Sequence, residues 1–473
     1  MYDVAVVGAG VVGANVLRAL SQYRLSLALL EKENDVGTGA SRANSAIVHA
    51  GYDPKPGTKM ARLNVQGSRM MEALCRDLSV PYKRNGAMVL AFDEQDARTV
   101  RALYQRGLDN GVAPLALLSP AEALALEPNL NPNLTLALHA PGSAILSPWE
   151  LAVACCDNAI QNGAAYFPNS PVTALTPVEG GWKIATPDRT LTARFVVNCA
   201  GVYADTVDAL AGGGGFSILP SKGEYFVFDK SQSHVVEHTI FQCPSAAGKG
   251  VLISPTVHGN LIVGPDASDV SDRDDTSTEA ERLDFVRATA EKSCARVDYR
   301  ERIRTFAGVR ANCTEPDFIL ELSRPGFVNA AGIRSPGLSA SPAIALEVLS
   351  ILENAGLALE KKPDYCPTRE KVFFQTLPDS EKQALIARDP HFGRIICRCE
   401  SITEGEILQA LDSPTCPPTL DAVKRRCNAG LGRCQGGFCG PRVCELIAKT
   451  RGVDPTAVLQ DLAGSYILTH KLP

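Results

Sequence analysis

The chain opens with a short run of branched apolar residues that ends in three closely spaced glycines. Residues 3–7 read Asp-Val-Ala-Val-Val, residues 8–13 read Gly-Ala-Gly-Val-Val-Gly, and an apolar helical pattern follows. This order predicts a buried parallel strand, a tight turn and a helix whose N-terminus faces an anion. Gly8 permits the turn, Gly10 lets the backbone approach a pyrophosphate, and Gly13 lets the helix pack closely on the strand. The segment therefore predicts an α/β fold that binds a dinucleotide.

The residues after this motif distinguish between two dinucleotides. A second predicted strand, residues 25–30, ends at Glu31, where an acidic side chain can hold a ribose hydroxyl. Residues 32–45 then form a polar, glycine-containing loop at the point where a nicotinamide-binding fold ordinarily passes to its next helix. Such a loop suits a second phosphate and a ribitol chain, so the sequence favours FAD over NAD.

Four cysteines near the C-terminal end are spaced like metal ligands. One residue separates Cys397 from Cys399, thirty-four residues follow, and four residues separate Cys434 from Cys439. Four thiolates on glycine-rich loops can hold a [2Fe-2S] cluster, whose potential is tuned by amides that donate to the sulfurs. A zinc ion bound by four cysteines is the alternative, although its usual spacing differs from that of Cys397 and Cys399. The remaining cysteines of this region are predicted to be packing residues: Cys416, Cys427 and Cys444.

Composition excludes several classes of function. The chain has 473 residues and a net charge of −5, with acidic and basic residues interspersed, so two to four domains are expected and no basic stripe is present. Nucleic acid and membrane surfaces are therefore not expected as partners. The first apolar stretch is broken by glycines and follows no basic residue, so we expect neither a signal peptide nor a transmembrane segment, and a cytoplasmic location. Most of the fifteen cysteines are scattered and are expected to be free thiols.

Further segments resemble the flavoproteins of the D-amino-acid oxidase family. In that family, a strand and turn like residues 195–205 close over the adenosine side of FAD, and a turn and helix like residues 329–343 face the pyrimidine end of the flavin. The resemblance implies that the helix N-terminus stabilises negative charge on the reduced ring. The residues that it assigns to FAD binding are Gly8, Ala9, Gly10, Val12, Gly13, Glu31, Lys32, Thr38, Ser41, Asn44, Ser45, Val172, Ala200, Gly201, Gly332, Pro336, Gly337 and Leu338.

The segments between these flavin segments are similar to one branch of the family. This branch includes L-2-hydroxyglutarate oxidases and FAD-dependent glycerol-3-phosphate dehydrogenases. The similar segments are residues 44–52, 56–64, 221–225, 249–265 and 307–318. Enzymes of the related membrane-associated branch carry an arginine shortly after a His-Gly-Gly turn, whereas residues 50–53 here read Ala-Gly-Tyr-Asp. A phosphate site in this chain would therefore be assembled differently.

A small set of residues is predicted to act on the substrate. Oxidation of a carbinol needs a hydride acceptor and a base for the hydroxyl proton, and histidine suits the base because its ordinary pKa lies near neutral pH. His49 and His258 are the candidate bases. A substrate phosphate or carboxylate would be held by a cation, for which Arg310 is the first candidate, followed by Lys222 and Arg334.

The tail, from about residue 394 to 450, resembles the bacterioferritin-associated ferredoxin-like [2Fe-2S] domain. The resemblance makes the cluster ligands Cys397, Cys399, Cys434 and Cys439. Thr403 and Glu406 are placed to form a capping box at the start of a helix. A one-electron cluster beside a two-electron flavin implies that reduced FAD is emptied stepwise, that oxygen is not the intended acceptor, and that a redox partner protein receives the electrons.

The predicted fold class is α/β. A Rossmann-like FAD-binding domain carries an inserted, mostly antiparallel substrate-binding sheet, and a small helical iron-sulfur domain follows. The oxidoreductase module is expected at residues 1–355, with residues 1–80, 145–215 and 300–355 binding FAD and residues 81–144 and 216–299 binding substrate. A linker is expected at 356–393 and the [2Fe-2S] domain at 394–473.

These features predict an FAD-dependent dehydrogenase of a small anionic alcohol. The resemblance favours glycerol 3-phosphate, oxidised to dihydroxyacetone phosphate with electrons leaving through the cluster. A 2-hydroxy acid such as L-2-hydroxyglutarate, or an amine or opine, is the alternative substrate class. An electron-transfer or redox-sensing subunit without its own substrate is the alternative of another kind. The electron acceptor, the oligomeric state and any covalent tether to the flavin stay open.

Overall fold

The computed structural model describes residues 1–244 and 250–470. Lys249, where one of the similar segments begins, and the last three residues of the predicted C-terminal domain lie outside the described residues.

Strands are numbered in chain order. They are β1 Tyr2–Val7, β2 Leu27–Leu30, β3 Ile47–Val48, β4 Tyr82–Lys83, β5 Ala87–Ala91, β6 Ala116–Leu118, β7 Leu136–Ala140, β8 Ala144–Leu146, β9 Ala165–Phe167, β10 Ala174–Val178, β11 Gly181–Ala185, β12 Thr190–Asn198, β13 Ile218–Phe228, β14 Thr239–Gln242, β15 Leu252–Pro255, β16 Leu261–Gly264, β17 Ser268–Asp269, β18 Arg302–Cys313, β19 Ile319–Arg324, β20 Phe327–Ala331, β21 Ile395–Cys397 and β22 Ile402–Thr403.

Helices are numbered in the same way. They are α1 Val11–Leu20, α2 Lys59–Asp77, α3 Glu94–Asp109, α4 Pro120–Leu126, α5 Pro148–Gln161, α6 Ala204–Leu210, α7 Ala280–Ala290, α8 Gly337–Asn354, α9 Asp379–Arg388, α10 Glu404–Asp412, α11 Leu420–Cys427 and α12 Gly440–Arg451.

The first predicted strand lies inside a mostly parallel sheet. β1 pairs in parallel with β2 on one side and with β12 on the other, and β9 and β20 extend the parallel part. The central residues Val4, Ala5 and Val6 are fully buried because helices and strands cover both faces of the sheet. α1, α5 and α8 pack together on one of these faces. This arrangement confirms the predicted Rossmann-like fold and puts the glycine turn at the carboxyl edge of the sheet.

A second sheet is mostly antiparallel. Its strand order is β17-β13-β16-β15-β14-β5-β7-β6, with β18 paired to β13. Among the described strands of this second sheet, only β14 and β5 pair in parallel. The long β18 pairs with β13 along almost its whole length. The predicted boundary at residue 300 therefore differs from the structure, because residues 302–313 belong to the second sheet rather than to the FAD-binding part. Polar and apolar residues do not alternate regularly along β18, so its pairing with β13 was not expected from the sequence.

The C-terminal part has a core of its own. Ile407, Val423 and Ile447, from three different helices, are fully buried in it. Its first helix begins as predicted, since the Thr403 side chain accepts from the Glu406 backbone and the Glu406 carboxylate accepts from the Thr403 backbone. Short buried helices around cysteine-bearing loops agree with the predicted small helical domain.

The predicted linker follows the surface of the first module. The Asn158 side chain donates to the Cys366 carbonyl at 3.0 Å, and the Ser79 hydroxyl donates to the Arg369 carbonyl at 3.0 Å. Part of the linker is helical, because α9 lies within it. None of the helices in the described ranges is both long enough and apolar enough to cross a membrane.

Close packing of α2 on α8 gives a prediction about stability. A β-carbon at Gly67 would lie 2.2 Å from the Ser339 carbonyl oxygen, whereas one at Gly142 would meet nothing within 4 Å. We expect Gly67→Ala to lower the free energy of unfolding by about 1–3 kcal/mol, since overpacking forces the helices apart. Gly142→Ala is the matched control. Thermal melting of the FAD-loaded protein checks this, and equal melting temperatures for both variants would contradict it.

Candidate active site and cofactor sites

One cavity of about 1790 Å³ lies between the two sheets. Its first wall is the glycine turn, the loop after β2 and the turn before α8, and its second wall carries Tyr225, Phe241 and Arg310 from the second sheet. The cavity therefore joins the predicted cofactor residues to the predicted substrate side. An elongated dinucleotide and a small substrate can share it.

Glu31 holds a buried carboxylate at the end of β2. It accepts from the backbone N–H of Ala9 at 2.7 Å and of Glu33 at 3.0 Å. Burial raises the pKa of Glu31, although these two hydrogen bonds oppose the rise. A buried carboxylate that lines a cavity is stabilised by further donors, and ribose hydroxyls supply them. The position fits the predicted contact with the ribose of FAD.

The glycine turn lets neighbouring parts of the backbone approach closely. Gly8 has φ of +102°, and a β-carbon there would lie 2.5 Å from the Cys199 carbonyl oxygen. A β-carbon at Gly13 would lie 2.0 Å from the Gly8 carbonyl oxygen, so the helix and strand approach as predicted. The Ser41 hydroxyl accepts from the Val11 N–H at 2.8 Å and fixes the next loop against the start of α1.

Most of the predicted cofactor residues line the cavity. Those that do are Gly8, Gly10, Val12, Glu31, Lys32, Thr38, Ser41, Asn44, Ser45, Val172, Ala200, Gly201, Gly332, Pro336, Gly337 and Leu338. Ala9 and Gly13 lie behind the lining, where the Ala9 N–H orients Glu31 and Gly13 allows close packing. Because Gly337 and Leu338 begin α8, the positive end of this helix faces the cavity.

His49 lines the cavity beside the start of α8. Its backbone is fixed on both sides, since its N–H donates to the Ser339 hydroxyl at 2.8 Å and its carbonyl accepts from Asn64 at 2.6 Å. The ring Nε2 lies 3.5 Å from the Ser335 hydroxyl, and the ring is 5.8 Å from that of Phe241. The imidazole is therefore held at the junction of the cofactor wall and the substrate wall.

Arg310 enters the same cavity from β18. Its Nη2 donates to the Asp266 carbonyl at 3.0 Å and its Nη1 to the Lys222 carbonyl at 3.5 Å. Gly223 makes room for it, because a β-carbon at that position would lie 1.9 Å from Nη2. These two carbonyls use only part of the donor capacity of a guanidinium, so donors are left for an anionic ligand. Arg334 also lines the cavity, and it donates to the Pro316 carbonyl at 2.6 Å.

Lys222 does not line the cavity. Its ammonium group is 1% exposed and lies 2.8 Å from Asp275, 3.0 Å from Glu279 and 3.6 Å from Glu224. Although burial opposes the charge, these carboxylates raise the pKa of Lys222. The ammonium group binds Asp275 and Glu279 in the segment before α7. The predicted role of Lys222 in binding a substrate anion therefore does not fit the structure.

His258 is also outside the cavity lining. It lies between the two modules, where Nε2 is 3.4 Å from the Glu150 carboxylate and Nδ1 is 3.2 Å from the Asn428 amide. Its ring stacks on Trp149 with 6.2 Å between centroids. Burial opposes ionisation of Glu150, but Lys371 lowers the pKa of this carboxyl to about 2. A histidine held here supports the contact between modules, so the predicted role as a base is not kept.

Tyr225 and Leu462 are among the cavity residues that were not predicted as functional. The Tyr225 hydroxyl lies 3.1 Å from the Ser45 hydroxyl, and its ring stacks on Phe306 at 4.5 Å. Leu462, which belongs to the C-terminal part, lines the cavity as well. Tyr225 was within a segment similar to the family branch and could have been chosen from it. Nothing in the local sequence around Leu462 indicates a cofactor cavity.

The four predicted cluster cysteines lie in two close pairs. The Cys399 thiol donates to the Cys434 sulfur at 3.7 Å, and the Cys439 thiol is hydrogen-bonded to Cys397. No group of three or more His, Cys, Asp or Glu side chains within the described ranges is placed around a single metal ion. A [2Fe-2S] cluster takes four thiolates, two on each iron, and these four cysteines can supply them.

Backbone amides point at these sulfurs. Cys397 accepts from the Gly430 and Glu400 backbones, and Cys434 accepts from the Phe438 and Gly436 backbones. A hydrogen bond from the Cys439 thiol, together with those from the amides, lowers the pKa of Cys397 to about 6, although burial opposes this shift. Thiolates stabilised by amides are what an iron-sulfur cluster requires. By contrast, Cys416, Cys427 and Cys444 are buried in the apolar core, as predicted.

Comparison with known proteins agrees with both sites. The family described as FAD dependent oxidoreductase matches residues 3–350, and the BFD-like [2Fe-2S] binding domain matches residues 395–449. A relative from Caloramator mitchellensis named glycerol 3-phosphate dehydrogenase is 47% identical over 99% of this chain and 98% of its own length. L-2-hydroxyglutarate dehydrogenase from Bos taurus is 28% identical over 56% of this chain and 61% of its own length.

A solved structure has the same fold. L-alpha-glycerophosphate oxidase from Mycoplasma pneumoniae with FAD bound superposes with a TM-score of 0.75, at 30% identity, over 79% of this chain and 99% of that chain. Together with the two family matches, it confirms the predicted fold class and the predicted cofactors, FAD and a [2Fe-2S] cluster. The chain belongs to the FAD dependent oxidoreductase family, and its C-terminal part is a BFD-like [2Fe-2S] binding domain.

Proposed function

We propose that this chain is a dehydrogenase that oxidises glycerol 3-phosphate to dihydroxyacetone phosphate. The observation that carries the proposal is the 47% identity to the glycerol 3-phosphate dehydrogenase of Caloramator mitchellensis, which extends over both modules. The cavity supports it, since His49, at the junction of the two walls, and Arg310, on the second wall, line the same space. FAD supplies the hydride acceptor when bound.

Arg310 binds the phosphate of the substrate in this proposal. A guanidinium offers parallel donors to a phosphate and keeps its charge at any working pH. The Asp266 and Lys222 carbonyls fix its terminal nitrogens, so little freedom is lost when the substrate binds. The substrate is thereby oriented with its central carbon toward the flavin wall.

His49 accepts the proton of the substrate's C2 hydroxyl at Nε2. The Ser335 hydroxyl, 3.5 Å from this atom, orients the ring. Ser339 and Asn64 hold the backbone, so the imidazole can take the proton without moving away from the flavin wall. His49 takes the proton of the hydroxyl, and the hydride of C2 would pass to bound FAD. C2 is then the carbonyl carbon of the ketone product.

A 2-hydroxy acid is the second candidate substrate. A carboxylate would bind the Arg310 guanidinium by the same parallel hydrogen bonds as a phosphate. The 28% identity to L-2-hydroxyglutarate dehydrogenase covers only 56% of this chain, which makes this candidate weaker.

Anaerobic bleaching of the flavin tests the substrate. We expect glycerol 3-phosphate to bleach the visible flavin band, whereas L-2-hydroxyglutarate, glycine and an opine leave it oxidised. His49→Gln should slow bleaching by about 10²–10⁴-fold, because the base is lost. Arg310→Lys should weaken substrate binding by about tenfold or more, because parallel hydrogen bonds are lost.

The control for both variants is His234→Gln, which changes an exposed histidine outside the cavity lining. It should bleach like the wild type. Bleaching by a hydroxy acid or an amine, with none by glycerol 3-phosphate, would contradict the proposed substrate. A normal bleaching rate in His49→Gln would contradict the proposed base.

Ligand substitution tests the cluster cysteines. Cys399→Ala and Cys434→Ala should lose the iron and the acid-labile sulfide, since a [2Fe-2S] cluster needs four ligands. FAD content and substrate bleaching should persist, because none of the four cluster cysteines lines the flavin cavity. Cys444→Ala, at a buried packing cysteine, should keep both iron and sulfide. Iron, sulfide and zinc analysis of anaerobically purified protein provides the measurement, and zinc in place of iron would contradict the assignment.

The cluster loops present a basic surface with an exposed aromatic ring. We define this cluster face by Arg304, Arg398, Arg433 and Phe438. Phe438 is 89% exposed, the side chain of Arg433 is 64% exposed, and Arg304 and Arg398 are exposed as well. Arg304 contacts Gln435 of the cysteine loop at 3.4 Å. Since the whole chain carries a net charge of −5, this local excess of arginine favours an acidic one-electron carrier as the redox partner.

Charge reversal tests this partner. Electron transfer from dithionite-reduced protein to an acidic rubredoxin should slow by about tenfold in Arg398→Glu, while transfer to a basic cytochrome c should not slow. Arg101→Glu, an equal charge change on α3, is the control. Stopped-flow absorbance measures the rates, with the cluster spectrum verified in each variant. Equal slowing with both carriers would contradict an acidic partner.

The cytoplasm is the proposed location. The cysteines other than the four cluster ligands are free thiols, and several are buried beside one another without forming a disulfide, which is typical of a reducing compartment.

A further inference from the structure

The C-terminal part reaches back into the FAD cavity. Leu462 lines the cavity together with Lys32, Glu33 and Arg42 from the loop after β2. This loop follows the ribose-binding carboxylate Glu31. The contact joins residues about four hundred and twenty positions apart in the chain.

Asp461 fixes this contact. Its carboxylate lies 2.6 Å from the Arg42 guanidinium and 2.9 Å from that of Arg425. Its backbone carbonyl accepts from the Asn34 side chain at 2.7 Å. The side chain of Asp461 is only 14% exposed, so these charge-assisted bonds are partly shielded from solvent. The residue before Leu462 is thereby bonded to both ends of the cofactor loop.

Asp35 forms the second half of the same network. It is fully buried and lies 2.8 Å from Arg425 and 2.7 Å from Arg426, both on α11. Burial opposes its charge, but the two guanidiniums lower the pKa of Asp35. Loss of one partner of a buried pair leaves an uncompensated charge, so the two modules are held in one relative position.

Arg42 connects this network to the cofactor. It lines the cavity in which the anionic diphosphate of FAD would lie, and Asp461 holds its guanidinium in place. Arg425 and Arg426 do not line the cavity, so they act on the FAD site through Asp35 and Asp461.

We propose that the segment around Asp461 and Leu462 is part of the FAD site, and that FAD and the iron-sulfur domain stabilise each other's bound positions. FAD orders residues 32–42, and this loop in turn holds α11 and the C-terminal segment. Coupling of two binding events is reciprocal, so docking of the iron-sulfur domain strengthens the binding of FAD by the same free energy by which FAD strengthens the docking. The proposal depends on FAD and does not depend on which substrate is oxidised.

Release of FAD from Asp461→Asn tests the first half. Charge-assisted bonds to Arg42 and Arg425 are weakened while the side-chain shape is kept, so release should be about ten- to a hundredfold faster than in wild type. Asp412→Asn is the matched control, since it removes an equal charge from an exposed position of the same domain. Recovery of flavin fluorescence after dilution, without substrate, gives the rate. Release at the rate of the control would overturn the proposal.

Hydrogen exchange of the unaltered protein tests the second half. We expect amides of α11 and of residues 459–465 to exchange more slowly in the FAD-loaded protein than in protein freed of FAD, with the iron-sulfur cluster kept in both. Amides of α4, none of whose residues lines the cavity, serve as the internal reference. Equal exchange of α11 in the two states would show that the domain and FAD are not coupled, and the proposal would then be wrong.

Discussion

The buried carboxylate of Asp35 is the interaction on which the arrangement of this protein depends. It belongs to the cofactor loop, yet both of its cationic partners belong to the iron-sulfur domain. A buried charge cannot be left unpaired without a large cost in free energy, so the loop and the domain must be formed together. His258, between Glu150 and Asn428, extends the same contact on the side of the second sheet.

Each of the two large sheets contributes one part of the proposed chemistry. The parallel sheet presents the glycine turn and Glu31 to the cofactor, and the antiparallel sheet presents Arg310 across the cavity. The proposed base, His49, lies where the two walls meet. A substrate can therefore be oriented by one wall and oxidised at the other.

Local patterns predicted the parts of the structure that depend on neighbouring residues. The glycine turn, the acidic end of β2 and the capping box at Thr403 each follow from a few adjacent residues, and all were found where predicted. The positions of Lys222 and His258 depend on partners far along the chain, so their predicted roles did not fit the structure. The same reason explains why the pairing of β18 and the return of Leu462 to the cavity were not predicted.

The unequal exposure of the cysteine pairs has a consequence for the direction of electron flow. Cys397 and Cys439 are 1% and 3% exposed, whereas Cys399 is exposed and the neighbouring Cys434 is half-buried. The sulfurs of one pair are enclosed by protein, and those of the other face solvent. Solvent and hydrogen bonds both set the potential of such a cluster, so the two pairs would surround it unequally. The site thus has an inner and an outer side, and only the outer one faces solvent.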